Sequence, residues 1–486
     1  MTKKGKTDKK KFTKAIKQKH GLGTTKSHES IDTITRLQRK FAFLGLSRHR
    51  NLYCFLTSIV VLLLVFNLLK TWHDNNQNAG IDFYQFWVIG KVIAGSKASD
   101  VYSDNGRYEI GRDFLHNAQI QPQSERYLRA AHVRQRLETY STPFLYSVFQ
   151  YFAIANYEFD LTLYTAFLLL CYMLAIIAFC RLLHYSLIRT LIAIIILLGF
   201  VPFSSEIRVS NVNSIQLGLL ALFAWLQCRC TWKGHYFGAG MVLGFAMMFK
   251  PNTVFIIGLL IVSWFINRHY SKLMLEAAGV VTATVGAFFF SIYHFGSTRI
   301  WIDWFTQLRN MPDYITPINL GNVGLARFIK EMTGIEVSIY LQIVFVIVSI
   351  VCIWYGRFPI VTRANNNGAN QERDKKDLLN DMPMIIMGCL IYLISAPLVW
   401  LHYLILAIPA VLMIFRPLHN SAYSFTKSNM MILRIIPAIP VVLLNVNILR
   451  LLNDTNNYYL FIGAYALPLI FYGITLMEFR HVKSRT

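Results

Sequence analysis

The sequence predicts an all-α membrane protein, a polytopic helical bundle with short helices on its external face. Hydrophobic residues make up 55% of the 486 residues, charged residues make up only 15%, and long apolar runs recur along the chain. Soluble domains average about 25% charged residues and rarely repeat apolar runs of about 20 residues. The composition therefore excludes an ordinary soluble globular protein.

The first fifty residues form a basic tail. They contain fifteen Lys or Arg against three acids, so this segment alone supplies +12 of the formal net charge of +23. A basic segment directly before a membrane span is typical of a cytoplasmic tail held near anionic lipid. We therefore expect membrane lipids, and no nucleic acid, as partners of the tail. No cleavable signal peptide is evident, because the first apolar run begins near Leu52.

About twelve apolar runs are candidate membrane spans: 52–70, 160–183, 187–205, 211–229, 236–250, 252–267, 273–293, 336–356, 383–399, 401–416, 429–449 and 457–477. With the tail inside, the short basic loops between them all fall on the inner side. We predict a cytoplasmic tail 1–50, a transmembrane domain 51–480 and a second cytoplasmic tail 481–486. The run 143–157 would reverse this charge pattern as a further crossing. It is therefore expected to be a surface-lying or re-entrant helix on the external face.

The same threading places the loops 71–159 and 294–335 outside, together with the chemically varied residues of the chain. The first of these loops is expected to contain short interfacial helices. Its start is rich in aromatic residues, which suit the lipid headgroup region. We therefore expect the functional site on the external face.

Asp82 is the first candidate for chemistry, since it places a carboxylate within an aromatic stretch close after the first apolar run. A carboxylate near apolar surface is costly unless it is paired, and such groups at membranes are often functional. The alternative is an ordinary helix N-cap, for which Asp is a preferred residue.

Cations and amides supply the next candidates. Lys250 stands alone before Pro251 between two apolar runs, where the positive-inside rule disfavours it, so we expect an anionic partner; snorkelling at a helix end is the alternative. Arg208 is similar, although Glu206 is a simple alternative partner for it. Asn213 adds an amide nearby, and Asn is also common in turns.

Two later segments complete the set. His402 and Trp400 lie at the external end of two apolar runs; an aromatic belt explains the Trp without function, whereas a neutral imidazole is able to donate to a phosphate or a sugar hydroxyl. Asn319 and Arg327 lie in a glycine-broken external loop, for which a plain loop-to-helix turn is the alternative.

One acid with scattered cations and amides on one face suits group transfer from a donor whose leaving group is a lipid-linked phosphate. A phosphate diester needs little acid assistance to leave, so a base near the acceptor and cations over the phosphate are the useful groups. The sequence shows no metal-ligand spacing and no phosphate-binding glycine loop. No cofactor is required, although Asp82 is able to ligate a divalent metal.

The ordered motifs resemble glycosyltransferase family 87 of the membrane-embedded GT-C class. An acid-aromatic pattern is matched by Asp82, Phe83, Phe86, Gly90 and Lys91. A Gly-to-Lys-Pro element is matched by Gly244, Lys250 and Pro251. Looser matches follow at Tyr140 to Leu145, Ser210 to Asn213, Asn319 to Gly324 and Ser395 to Tyr403. The order is kept from about residue 80 to residue 410.

The resemblance implies a GT-C-like bundle that transfers a sugar, often mannose, from a polyprenyl-phosphate-sugar donor to a glycan or glycolipid acceptor outside the membrane. In that interpretation Asp82 is the general base of an inverting reaction. Lys91, Arg208, Asn213, Lys250, Asn319, Arg327, Trp400 and His402 bind the donor phosphate or substrate. The family's usual distribution favours a bacterial cytoplasmic membrane. A transporter or flippase of lipid-linked sugars is the main alternative, and a non-catalytic scaffold is the second.

Overall fold

The computed structural model describes residues 54–95, 100–120, 124–311, 318, 321–355, 369–416, 427–452 and 457–483. The predicted basic tail 1–50 and Asn319 lie outside these residues. The chain divides into two compact units, 1–63 and 64–486. Of the first unit, residues 54–63 are described, and they are helical. All the structure that bears on the site belongs to the second unit.

The described residues form twenty α-helices. The first ten are α1 (Cys54–Asn75), α2 (Ile81–Ala94), α3 (Asp104–Ile120), α4 (Glu125–Val133), α5 (Pro143–Phe149), α6 (Tyr157–Leu182), α7 (Leu187–Leu198), α8 (Val201–Val209), α9 (Asn213–Arg229) and α10 (His235–Phe249). The others are α11 (Val254–Ile266), α12 (Tyr270–Phe295), α13 (Arg299–Arg309), α14 (Leu325–Thr333), α15 (Ser338–Tyr355), α16 (Ala369–Ser395), α17 (Ile408–Ile414), α18 (Lys427–Leu443), α19 (Val446–Leu451) and α20 (Tyr458–Lys483).

Short 3₁₀ helices at Pro251–Thr253 and Leu401–Ala407 precede α11 and α17. Within the described ranges there is no β-strand, and β-structure is confined to two isolated bridges, Phe200 with Asn445 and Asn322 with Trp400. The predicted all-α class is confirmed.

Five of these helices are long and apolar enough to cross a membrane: Cys54–Asn75, Tyr157–Leu182, Tyr270–Phe295, Ser338–Tyr355 and Tyr458–Met477. A sixth candidate is the pair α8 and α9, which are bent by 118° at a short break. Six further apolar helices are shorter than these spans. The chain is thus a multi-pass membrane helical bundle, and the number of twelve spans stays a prediction.

The segment 143–157 does not form a spanning helix. Its helix α5 has 7 residues, about 10 Å of axial rise, which is too short to cross a hydrocarbon core of about 30 Å. Thr142 is its N-cap and accepts a hydrogen bond from the Leu145 amide at 3.2 Å. The same hydroxyl donates to the carbonyl of Met248 at 2.7 Å, which fastens the start of α5 to the end of α10.

The aromatic start of the first loop is buried in the protein core, and its position at the lipid headgroup region stays a prediction. Phe83 and Tyr84 in α2 are fully buried, and Phe83 stacks on Tyr164 of α6 at 4.7 Å between ring centroids. Trp87 donates to the Asp160 carboxylate at 2.8 Å. Because these rings remove their apolar area from solvent against α5 and α6, they hold α2 rigidly.

Helices α10 and α12 approach each other closely through glycines. A Cβ on Gly240 would lie 2.2 Å from the Glu276 carbonyl oxygen, and a Cβ on Gly279 would lie 2.2 Å from that of Phe237. Small residues allow helix backbones in membranes to pack at this distance. The C-terminal end of α10, which leads into Lys250, is therefore set on a rigid helix pair.

Candidate active site

Asp82 lies in the first turn of α2 and points into the protein. The N-cap of α2 is Gly80, in the left-handed conformation with φ of 63°, so the alternative that Asp82 is the cap is wrong. Such a conformation favours glycine, and it starts the helix two residues before the acid. The Asp82 side chain is 11% exposed. One oxygen, Oδ2, accepts from the Asn211 amide at 2.6 Å.

Arg134 holds the other oxygen of Asp82. Its Nη2 donates to Oδ1 at 2.7 Å, and its Nη1 lies 2.5 Å from the Glu138 carboxylate. Burial lowers the pKa of Arg134, but the charges of Glu138 and Asp82 outweigh that effect, so its pKa is raised above the ordinary value. A permanently charged guanidinium thus keeps the carboxylate in one orientation.

The bend between α8 and α9 supplies the amides of the site. Ser210 ends α8 in a left-handed conformation, with φ of 54°. Asn211 and Asn213 follow it, both buried. Glu206 is fully buried and accepts from the Asn213 amide at 2.8 Å and from the Ser214 backbone amide at 2.9 Å. It forms no ion pair with Arg208, which is also described, so that alternative for Arg208 is wrong.

Lys250 follows α10 in an extended conformation, as its position before Pro251 requires. Its ammonium donates to Oδ1 of Asn213 and lies 4.0 Å from the centroid of the Tyr403 ring. Burial lowers the pKa of Lys250 to about 8, although the carboxylates of Glu206 and Asp82 act in the opposite direction. The expected anionic neighbours are therefore present, but none bonds to the ammonium directly within the described chain.

His402 enters the site from the 3₁₀ helix Leu401–Ala407. It is buried, and its Nε2 lies 4.0 Å from Oδ2 of Asp82. Within the part of the chain that the structure describes, this Nε2 has no hydrogen-bond partner. Trp400 precedes the helix, partly exposed, and its backbone pairs with that of Asn322. Asn322 donates to the Pro397 carbonyl at 2.9 Å and accepts from the Val399 amide at 3.0 Å, which fixes this turn.

Arg208 lies at the rim of the site. Its side chain is exposed, and it makes no hydrogen bond or ion pair with any other described residue. Its charge acts on His402, so the guanidinium is near the imidazole. The structure thus brings Asp82, Asn213, Lys250, His402 and Arg208 to one end of the bundle.

For Lys91 and Arg327 the structure shows bonds to other residues. Lys91 lies in the last turn of α2, about 13 Å along the helix from Asp82, and donates to the Ala155 carbonyl at 3.0 Å. Arg327 pairs within α14 with Glu331 at 2.9 Å. Neither of these bonds involves a residue of the group around Asp82. Asn319 falls outside the described residues, so its predicted role stays a prediction.

Arg134 and Glu138 are the residues that sequence reasoning missed. Their spacing of four is an ordinary helix-type pair in a polar loop, and only the fold shows that Arg134 reaches Asp82, which is 52 residues away. The sequence draws attention to Glu206 only as a partner for Arg208. Its neighbours Ser204, Ser205 and Arg208 are polar, so the sequence gives no signal that Glu206 is buried.

The arrangement offers a carboxylate, a facing imidazole and two cations around one small region. A hydroxyl oxygen is able to bridge the gap between Asp82 and His402. The donor and acceptor atoms of a hydrogen bond are about 2.8 Å apart, so one oxygen can lie within this distance of both side chains. Among the described residues, no group of three or more His, Cys, Asp or Glu side chains is placed to hold a metal ion.

The model of glycosyltransferase family 87 matches residues 139–370. The match confirms the resemblance noted in the sequence and indicates a glycosyltransferase. It includes Glu206, Asn213 and Lys250, whereas Asp82 and His402 lie outside it. No curated protein matches the chain. No solved structure matches it either.

Proposed function

We propose, with the match to glycosyltransferase family 87 as the premise, that this chain transfers a sugar from a polyprenyl-phosphate-sugar donor to a hydroxyl of a glycan or glycolipid acceptor. The reaction inverts the configuration at C1. Asp82 removes the acceptor proton as the acceptor oxygen attacks C1. The bond from C1 to the phosphate oxygen breaks, and its electron pair leaves with the lipid phosphate.

The observation that carries the proposal is the gap of 4.0 Å between Oδ2 of Asp82 and Nε2 of His402. Both groups are buried, and neither forms a hydrogen bond with the other. An acceptor hydroxyl between them would donate its proton to Asp82 and accept a hydrogen bond from a neutral His402. Arg134 and Asn211 occupy one lone pair of each carboxylate oxygen, so each oxygen retains acceptor capacity.

Two cations suit the departing phosphate. The ammonium of Lys250 uses one of its three N–H groups on Asn213 and keeps the others available. Arg208 is exposed and unpaired among the described residues, so it offers its guanidinium fork without breaking an ion pair. Fixed cations stabilise charge that develops on a leaving phosphate, and they do so most strongly where water is partly excluded.

A lipid-linked donor agrees with the position of the site. Lys250 lies between the apolar helices α10 and Pro251–Ile266, so a lipid tail beside them stays in apolar surroundings while its phosphate reaches the cation. Mannose and a bacterial cytoplasmic membrane follow from the family resemblance, and the external site follows from the positive-inside threading of the spans; all three are part of the same proposal.

The test uses full-length protein purified in detergent, with a saccharide acceptor. We expect product from polyprenyl-phosphate-mannose and none from GDP-mannose, and we expect NMR of the product to show an inverted anomeric centre. Product from the nucleotide sugar, or retained configuration, would contradict the proposal. Movement of the lipid-linked sugar across sealed vesicles without any product would support the transporter alternative instead.

A further inference from the structure

Glu206 is a buried carboxylate that the proposed reaction does not use. It is 0% exposed, and its two oxygens accept from the Ser214 backbone amide and the Asn213 side chain. The first contact is an ordinary way to satisfy an amide in the first turn of α9. The second contact connects Glu206 to Lys250, the cation proposed to bind the donor phosphate. The oxygen of the Asn213 amide accepts a hydrogen bond from the Lys250 ammonium.

The chemistry of the two neighbours fixes which way the Asn213 amide faces. Both oxygens of Glu206 act as hydrogen-bond acceptors here, and an ammonium only donates hydrogen bonds. Asn213 must therefore present its NH₂ to Glu206 and its oxygen to Lys250. Asn213 is 0% exposed, so water cannot substitute for either partner. A reversed amide would place two donors against each other at Lys250.

We propose that Glu206 is a positioning residue for the donor phosphate: through the amide of Asn213 it holds the ammonium of Lys250 in place without neutralising it by a direct ion pair. This inference rests on the proposed function of the same site. A direct carboxylate contact would compete with a phosphate for the ammonium. The neutral amide takes a single N–H and leaves the full charge for the ligand.

The groups that face Lys250 set the sign of the expected pH effect. They are Glu206 from α8, Asp82 from α2, and His402 and Tyr403 from the 3₁₀ helix, whereas the charge of Arg208 acts on His402. The negative charge of Glu206 raises the pKa of Lys250. Replacing Glu206 by the neutral Gln therefore lowers that pKa, and the ammonium is lost at a lower pH.

Two quantities are measured as a function of pH in detergent. They are the affinity for sugar-free polyprenyl phosphate and kcat/KM for the sugar donor. For Glu206→Gln we expect about tenfold weaker phosphate binding at neutral pH. This change corresponds to the loss of about one hydrogen bond to a charged group. The basic limb of both profiles should move to lower pH, and KM for the donor should change more than kcat.

Asp160→Asn is the matched control. Asp160 is also a buried carboxylate, and it accepts from Trp87 and from the Ala155 backbone amide. It makes no contact with Lys250. We expect this variant to lose stability while its basic limb stays at the wild-type pH. A merely structural role for Glu206 predicts the same behaviour for Glu206→Gln, and that result would overturn the inference.

A double variant provides a second test that applies even if Glu206→Gln fails to fold. Glu206→Gln with Asn213→Asp reverses both polarities, so the new amide at position 206 would accept from Ser214 and donate to the new carboxylate, which then pairs directly with Lys250. We expect the basic limb to move above the wild-type pH while phosphate binding stays weak. Wild-type binding in this folded variant would refute the positioning role. If phosphate binding changes as expected but the wild-type protein shows no transfer activity, the proposed function is refuted and the positioning role of Glu206 is not.

Discussion

Two clusters of buried charged residues lie at opposite ends of the same helices. Asn213 begins α9 and Lys250 follows α10 at one end, whereas Gln227 and Tyr236 belong to the other ends of these helices. Helices of 17 and 15 residues place the clusters about 20–25 Å apart. We call the first the Asp82 site and the second the Lys272 cluster, which contains Lys272, Asp381, Trp264, Tyr236, Gln227 and Glu276.

The Lys272 cluster is closed. Lys272 pairs with Asp381 directly at 2.5 Å, and both side chains are less than one-tenth exposed. Trp264 donates to the second oxygen of Asp381 at 2.9 Å. The ammonium also lies 5.1 Å from the ring centroids of both Tyr236 and Trp264. The charges of Lys272 and Asp381 satisfy each other, which is the usual condition for burying an ion pair.

The Asp82 site is open by comparison. Its lysine bonds to an amide instead of a carboxylate, its Arg208 is unpaired within the described chain, and the Nε2 of His402 has no described partner. The contrast indicates that a lysine near an acid in a membrane bundle has two distinct uses. A direct pair links helices, whereas a lysine held through an amide stays available for an anion.

The largest expected effect comes from Asp82→Asn. An amide cannot accept the acceptor proton, so we expect turnover to fall by about 10²–10⁴-fold, the usual contribution of a general base. The fold should persist, because Arg134 keeps Glu138 as a partner. Donor-dependent product formation is the measurement, with Glu125→Gln, an exposed acid paired with the exposed Arg129, as a control of wild-type rate. Unchanged turnover in Asp82→Asn would eliminate the assigned base.

Asp381→Asn tests the closed cluster. It removes a directly bonded carboxylate from a buried ammonium, which we expect to cost about 3–5 kcal/mol in the free energy of unfolding. Denaturation in detergent measures the loss, and activity per folded molecule should stay near that of the wild type. The double variant Lys272→Met with Asp381→Asn should recover part of the stability. A large loss of activity in a stable Asp381→Asn protein would mean that the two clusters are functionally similar.

The smallest effect is expected for Arg208→Gln. Its guanidinium is exposed, so its attraction for the phosphate is screened, and pairs of this kind contribute about 0.2–1 kcal/mol. We expect donor KM to rise about two- to fivefold at low salt, and the difference from the wild type to shrink at high salt. Kinetics at two ionic strengths measure this. A loss of about a hundredfold that is insensitive to salt would show that Arg208 contacts a desolvated phosphate.

Long apolar runs predicted their helices within a few residues. The run 160–183 became Tyr157–Leu182, and the run 273–293 became Tyr270–Phe295. The run 187–205 was wrong as a single helix, since the structure ends α7 at Leu198 and starts α8 at Val201. Hydropathy does not register this break, because both pieces are apolar, whereas Gly199 and Pro202 are signals of it.

The candidate site was predictable residue by residue but not as a set. Asp82, Lys250 and His402 stood out singly because each is an ionisable group beside apolar sequence. Lys91 and Arg327 carried the same signal, yet their side chains bond to Ala155 and Glu331. The position of a residue in the chain does not distinguish these cases, since the groups that meet at Asp82, Lys250 and His402 come from separate segments.

The helical membrane class follows from the sequence alone, because apolar runs of this length must satisfy their backbone hydrogen bonds internally. The packed structure was needed to show that Arg134 holds Asp82, that Glu206 faces Asn213 and that Lys250 bonds to an amide instead of a carboxylate. Hydrogen bonds and ion pairs depend on distances of a few ångströms between side chains. Those distances arise from helix packing and from the bend between α8 and α9.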